Sequence, residues 1–555
     1  MSGYFNPNAT FSSLLKEGFR HYKGIHEATM RNIEAIQDLS SMTRTSYGPN
    51  GMNKYIINQH DKLYLTKDAS VMTEQLDINH PAANIFVRAS KAQDEQCGDA
   101  TNYVITFGGE LLNKAADMIS GGLHLSDIVT GYEEGYKKCM ELFDKIPTQD
   151  KNDLKNKEIV TTLIEPVIKT KLVHEQEKIL APLIAEACIS ALPEDKTKFN
   201  LDNVRVAQIL GGSLLDSSLV KGLIEVRDVE GCVTKVEKCK VAVYNCPLEN
   251  QGPETSDEVV FKNANDLLNY TKGEEDHMEK IIKEIVDSGV TAVVVGGAIS
   301  NMALHFLDKY GILAFRILSK FELRRVARAL GATLLVRLGA PTPEEMGYAD
   351  EISVQEISST KCIYINNNSE KNHYATIVLR GTTQGMLANM ERIIQDGVNL
   401  YKSMCKSTIF APGAGATEMF LANEIKNYSK TIKSLDQYGI EKFGEAFEVI
   451  PRTIMENSGY NVNETISSLR SKSLKNPKCG VCIEDGEIKD AFEDMQIYDH
   501  LDTKKWAIQF AVEAALTILR IDQIIVAKPA GGPAALQGKK PPPEIAEQQR
   551  EQDEF

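Results

Sequence analysis

From Phe11 to about Thr45 apolar residues return every three or four positions, with Leu14, Leu15, Ile25, Ile33, Ile36 and Leu39 on one face, which predicts an amphipathic helix. A glycine–proline loop, Tyr47-Gly-Pro-Asn-Gly-Met-Asn-Lys54, interrupts it. Tyr55-Ile-Ile and Leu63-Tyr-Leu-Thr then read as a short hairpin, and Lys67-Asp68-Ala69-Ser70 opens another helix. Pro81 suits a first helical turn, followed by Ala83, Phe86, Val87 and Ala89. Gly98 breaks that helix, and Ala100 to Tyr103 open the next, which carries Val104, Phe107, Leu111, Ala115 and Met118 at helical spacing.

From about 148 to 220 the pattern reads as helical and more charged, with a solvated linker over Asp150 to Glu158. From Val220 to about Glu370 β-branched runs alternate with helical ones. Val241-Ala-Val-Tyr, Ala292-Val-Val-Val, Ile312–Leu318 and Thr333–Leu338 are strand-like, whereas Met302–Tyr310 and Glu322–Leu330 are helical. Such alternation predicts a parallel sheet flanked by helices. The stripes of helices like Met302–Tyr310 are expected to pack on the sheet. Asn250 to Glu284 is polar and reads as an exposed excursion ending in a helix. Tyr374-Ala-Thr-Ile-Val-Leu is another strand, and helix follows to Lys402. After the glycine loop Ala411-Pro-Gly-Ala-Gly-Ala-Thr-Glu418 the chain is mainly helical to Ala527, with strand-like breaks at Gly480-Val-Cys-Ile and Ile524-Ile-Val. Residues 1–10 read as loose, and the Pro-, Gln- and charge-rich tail from Lys528 as disordered. The layout is helical, then α/β, then helical. It suits a nested chain whose two ends form one domain around an insertion.

Composition narrows the function classes. With 555 residues the length suggests about three or four domains. A net charge of −15 argues against a dedicated nucleic-acid binder. No window reaches the ~18 apolar residues of a membrane span, and no basic-then-apolar leader opens the chain, so a cytoplasmic protein without a membrane partner is expected. Ten scattered cysteines, with only Cys479 and Cys482 closely spaced, read as reduced thiols rather than a zinc site. Gly296-Gly297 lacks the remainder of a dinucleotide fingerprint.

The chemistry gathers in loops. Residues 97–103, Cys-Gly-Asp-Ala-Thr-Asn-Tyr, precede a helix whose first amides and dipole favour an anion. Asp99 would repel a bare phosphate there but suits one bridged by Mg²⁺. The plain alternative is an Asp/Thr helix cap. The loops at 47–54 and 67–70 lie nearby in sequence, and together the three outline a phosphate–metal pocket. Asp396, taken alone, reads as a solvated helix carboxylate beside Arg392.

Thr45-Ser-Tyr-Gly-Pro-Asn-Gly-Met-Asn-Lys, Gly98-Asp-Ala-Thr-Asn, Pro412-Gly-Ala-Gly-Ala-Thr-Glu, Phe443-Gly-Glu-Ala-Phe-Glu-Val-Ile-Pro-Arg and Glu456-Asn-Ser-Gly together resemble the group II chaperonin family over nearly the whole length. Phe199-Asn with Asp202-Asn-Val-Arg, Ser319-Lys-Phe-Glu-Leu-Arg-Arg and Lys528-Pro-Ala-Gly-Gly-Pro look most like one paralogue type of its eukaryotic cytosolic branch, TRiC/CCT. The resemblance implies a multidomain α+β and α/β chaperonin fold. A helical equatorial ATP-binding domain would take 1–147 and 405–527, and an intermediate hinge 148–219 and 371–404. An inserted α/β apical domain would take 220–370, with a lid at about 249–284.

It further implies one subunit beside seven paralogues in an eight-membered ring, two rings stacked, that encloses non-native clients such as actin and tubulin. The cofactors would be ATP/ADP and Mg²⁺. Tyr47 and Gly48 would line base and phosphates, and Asp99 would hold the metal. Ala100, Thr101, Asn102 and Tyr103 would meet phosphates through the helix start. Gly413 and Gly415 would admit the ribose beside Asp499, and Lys171 falls at a nucleotide-sensing position. Asp396 would orient the attacking water, with Asp68 assisting. The family usually carries Gly-Asp-Gly-Thr-Thr where Ala100 and Asn102 stand here, and Asn-Asp-Gly-Ala where Lys67-Asp-Ala-Ser stands, so a competent but slow ATPase is expected. The second reading is a nucleotide-binding, scarcely hydrolysing structural subunit that contacts clients. An independent small-molecule phosphotransferase is a third, disfavoured because no second substrate pocket or separate base stands near the glycine loops.

Overall fold

The computed structural model describes residues 25–522 except 59, 60, 62, 77, 79, 173, 250–263 and 368–373. The expectations for residues 1–10, the start of the first helix, the first part of the lid at 250–263, the strand at 524 and the tail lie outside these.

One core is shared by the two ends of the chain. The Thr101–Ser120 helix is its axis, packed by the Ile25–Arg44, Asp436–Ala446 and Leu501–Leu519 helices. Phe107 sits fully buried with its ring 4.5 Å from Phe447 and 6.2 Å from Phe443. Burying a side chain of that size contributes about 1.5–3 kcal/mol, and the helix presents such residues on nearly every side. The hairpin Lys54–Ile57/Leu63–Thr66 forms where the alternating pattern placed it.

A second core joins the Lys157–Lys169, His174–Ser190 and Gln384–Lys406 helices to a three-stranded sheet. In that sheet Ala375–Gly381 pairs in parallel with Val204–Leu210 and antiparallel with Ser218–Lys221. The helical expectation for 148–220 is therefore corrected: its second half is sheet. Val204 and Val206 face one core while Ala207 and Ile209 face another, a period-2 pattern covered on both sides that the polar Arg205 and Gln208 obscured. The linker expected at Asp150 to Glu158 is corrected at both ends, since Gln149–Asp150 pairs with Ile409–Pro412 and the next helix starts at Lys157.

Between these strands the chain runs out into a seven-stranded sheet. Lys235–Tyr244, Ala292–Val295 and Leu313–Arg316 are parallel, and Leu334–Leu335 also pairs in parallel with Lys235–Tyr244. The sheet is mixed, however, because Gly347–Ile357, Thr360–Asn366 and Leu223–Glu225 add antiparallel strands on the other side. The Asn301–Lys309 helix buries Ala303 and Leu307 against this sheet, as its stripe predicted. The helix Ala264–Asp287 buries Met278, Ile282 and Ile285 in the same layer, so the end of the polar excursion is core. All ten cysteines are free thiols.

Candidate active site

The Pro81–Cys97 helix ends at Gly98, whose φ of 72° is left-handed. A Cβ there would lie 2.4 Å from Asn399 Cβ, so only glycine lets the Gln384–Lys406 helix press onto this turn. Ala100 follows at φ 66° and ψ 23°, also left-handed, at the N-cap of the Thr101–Ser120 helix. No side chain caps that helix. The Asp/Thr cap is therefore overturned, and the first-turn amides stay free of a side-chain acceptor.

The hydroxyl of Thr101 instead donates to Asp68 Oδ1 at 2.5 Å. Asp68 is the N-cap of the Ala69–Gln75 helix and accepts from the Ser70 amide. Asn102 donates to the Lys67 carbonyl at 2.9 Å, which ties the second loop to the third. Tyr103 is buried, its ring 5.7 Å from Phe107 and its hydroxyl without a partner, so only its backbone belongs to the helix start.

The Asp396 carboxylate is buried rather than solvated, and Arg392 is not its partner. Arg392 lies over the Tyr64 ring, whereas Lys171 Nζ stands 2.7 Å from Asp396 Oδ2 and 3.8 Å from Asp99 Oδ1. Burial pushes the Asp396 and Asp99 carboxyls above the usual carboxylate range, and Lys171 pulls both back. Burial also pulls Lys171 down, but Asp396, Asp68 and Asp99 outweigh it and hold the ammonium above its ordinary pKa. Asp94, raised chiefly by burial, adds its charge beside Asp68 and accepts from Ser70 at 3.0 Å. Asp68, Asp94, Asp99 and Asp396 thus surround one lysine beside an uncapped helix N-terminus.

The remaining loops close the other side. Tyr47 precedes Gly48, at φ 83°, and the loop is pinned by Asn457 Nδ2, which donates to the carbonyls of Arg44 and Tyr47. Burial, then the charges of Glu418, Asp499 and Asp99, push the Tyr47 phenol up, which gathers these groups around one space. A Cβ on Gly413 would meet Ile497 Cγ2 at 2.6 Å and Asp499 Oδ2 at 3.2 Å, so this loop runs directly against Asp499. Gly415, at φ 78°, packs on Pro451 and starts the Ala416–Ser429 helix.

The donor set fits a nucleotide with a divalent ion. Among the described residues no group of three or more metal-binding side chains assembles. Mg²⁺ at a phosphate site takes one or two carboxylates together with phosphate oxygens, and Asp99 beside free amides offers that arrangement.

The TCP-1/cpn60 chaperonin family matches residues 39–529. Proteins named T-complex protein 1 subunit theta are similar over almost the full chain. The one from Dictyostelium discoideum is 43% identical over 523 residues, covering 94% of this chain and 97% of its own. Those from Arabidopsis thaliana (94% and 95% covered) and Homo sapiens (96% and 97% covered) are each also 43% identical.

The chain belongs to the TCP-1/cpn60 chaperonin family.

The resemblance to chaperonins, and within them to one paralogue type, is borne out. Chaperonins are nucleotide-dependent and in general ATPases. Among the described residues no helix is long and apolar enough to cross a membrane. Sequence reasoning missed four supports of this chaperonin site. Gln93 Nε2 donates to the Asp99 and Thr503 carbonyls, and Asn457 holds the Tyr47 loop. His500 Nε2 is 2.9 Å from the Ser407 carbonyl, linking the end of the Asp396 helix to the Leu501–Leu519 helix. Lys504 pairs with Glu418 and Asp499. Only Asn457 carried a signal, as part of Glu456-Asn-Ser-Gly.

Proposed function

We propose that this chain is an ATP-hydrolysing subunit of a cytoplasmic hetero-oligomeric chaperonin. It would work beside seven paralogous subunits in an eight-membered ring, two rings stacked, that enclose non-native proteins such as actin and tubulin. In this reading residues 1–147 and 405–527 bind nucleotide, 148–219 and 371–404 form the hinge, and 220–370 contact clients. The shared core of the chain ends and the separate sheet layer support that division.

The observation that carries the reading is the cluster of four carboxylates around Lys171 at an open helix start. Its excess negative charge calls for a cation, and the amides of residues 101–103 call for an anion. Magnesium nucleotide brings both, and the ion would neutralise charge on the transferring phosphoryl group. Asp99 would hold the metal and Asp499 would face the sugar. Asp396 accepts a proton from water, and Asp68, fixed by Thr101, orients it. Lys171 offsets part of the rise that burial imposes on the Asp396 carboxyl until its ammonium turns to the phosphates. Ala100 in a left-handed conformation strains the phosphate loop by about 1–2 kcal/mol, which supports slow turnover.

The test is single-turnover phosphate release from assembled complex carrying Asp396→Ala in this chain alone. This chain's share of hydrolysis should vanish while nucleotide stays bound. An unchanged share would remove Asp396 from its role and favour the structural, scarcely hydrolysing subunit.

A further inference from the structure

Next to the glycine loop lies an ion triad drawn from three elements. Lys504, in the first turn of the Leu501–Leu519 helix, places Nζ 2.7 Å from Glu418 Oε1 and 2.8 Å from Asp499 Oδ2. Glu418 stands in the first turn of the Ala416–Ser429 helix, and Asp499 in the strand Tyr498–His500. A cation in the first turn of a helix opposes the dipole, so helix stability does not explain Lys504. Burial pulls its pKa down, but Asp499 and Glu418 outweigh that and keep it charged.

Exposure divides the labour. The side chains of Lys504 and Glu418 are 9% and 2% exposed, while that of Asp499 is 32% exposed. One carboxylate would suffice to pair a buried lysine, yet there are two, and the excess charge sits on the open one. Asp499 Oδ2 is held by the ammonium and backed by Gly413, where a Cβ would stand 3.2 Å away. Among the described residues nothing donates to Oδ1, which leaves it free to accept from a ligand hydroxyl.

We propose that Lys504, seated on Glu418, is a positioning residue that fixes Asp499 for the sugar hydroxyls and so makes this site select ribonucleotides over dideoxyribonucleotides. The proposal rests on the nucleotide reading of the site. A hydroxyl bonded to an ionised and oriented carboxylate is worth at least about tenfold in affinity. A carboxylate free to rotate would lose most of that.

The experiment photolabels the assembled complex with 8-azido-ATP, reads the label on this chain by mass spectrometry, and competes it with ATP or 2′,3′-dideoxy-ATP. The parent should prefer ATP at least about tenfold. Asp499→Asn and Lys504→Met should each bring the ratio close to one, and combining them should lower it no further, as expected for groups acting as a unit. Lys504→Met leaves two carboxylates crowded together, so the charge-balanced pair Lys504→Met with Glu418→Leu is measured alongside it and should also lose the preference. If either Lys504 variant weakens both competitors equally and keeps the parental ratio, Lys504 is only structural and the proposal falls. If the parent takes the label but shows no preference for ATP, or Asp499→Asn keeps the parental ratio, the proposal falls while the nucleotide reading stands; if the parent takes no label, the nucleotide reading itself fails.

Discussion

Replacing Ala100 by glycine isolates the strain in the phosphate loop. Ala100 adopts φ 66° and ψ 23°. A side chain in that left-handed conformation costs about 1–2 kcal/mol, which glycine avoids. Glycine gives back about 0.4–1 kcal/mol through the more flexible unfolded chain. The difference leaves Ala100→Gly about 1 kcal/mol more stable locally. A chain with several cores does not unfold in one step, so a melting temperature would blur the effect. Native-state hydrogen exchange at Val104, whose amide donates to the Ala100 carbonyl, reads it directly, and ~1 kcal/mol corresponds to roughly fivefold slower exchange. Gly98→Ala is the internal control. It puts a methyl into the same left-handed region and against Asn399, so exchange there should accelerate well beyond fivefold. Faster exchange in Ala100→Gly, or protection in Gly98→Ala, would refute the assignment of strain to these backbones.

Removing the lysine in Lys171→Met strips the buried Asp396 of its partner, a change typically worth 3–5 kcal/mol. Burial already raises the Asp396 pKa in the folded state and Lys171 no longer offsets it. A raised carboxyl contributes its full stability below its unfolded pKa and loses it as pH rises through the folded one. The variant should therefore fall further behind the parent on going from pH 5 to 8 when the opening free energy of the Gln384–Lys406 helix is read by hydrogen exchange, and a constant gap would count against the pairing. Thr101→Val deletes the 2.5 Å bond to Asp68, and hydrogen exchange over Ala69–Gln75 should rise ~10-fold or more, since bonds to charged groups contribute about 1.5–3 kcal/mol. Unchanged protection would mean that Asp68 is held by Ser70 alone. Gly413→Ala drives a Cβ to within 2.6 Å of Ile497, and the shift of the Asp499 strand should weaken ATP binding roughly 10-fold for a distortion of about 1–3 kcal/mol. Parental affinity would show that the loop has slack.

Much of this architecture was legible because single elements are strongly periodic. Pro81, Gly98 and the Val104–Met118 spacing marked two helices and their junction to the residue. The strand Gly347–Ile357 escaped notice because charged and polar residues such as Asp350, Glu351 and Gln355 break its apolar positions, and in Thr360–Asn366 the apolar run Cys362-Ile363-Tyr364-Ile365 is only four residues long. Asp396 shows the limit of local reading. Arg392 one turn away looked like its partner, whereas the true partner, Lys171, is 225 residues distant. The pairing of Lys504 with Glu418 was invisible for the same reason, the two being 86 residues apart. Motif and spacing located the loops, but the charge balance among them exists only once tertiary contacts have formed.

The central claim is that Asp99 and Asp396, which share one ammonium here, divide between metal and water once nucleotide is bound. Its most direct test is the structure of the assembled complex with Mg²⁺ and a transition-state analogue of the γ-phosphoryl group. The account predicts the Asp99 carboxylate on the ion and the Asp396 carboxylate at hydrogen-bonding distance from the attacking water, with Lys171 turned toward the phosphates. A nucleotide bound with Asp396 still closed on Lys171, or with Asp99 facing away from the metal, would contradict it.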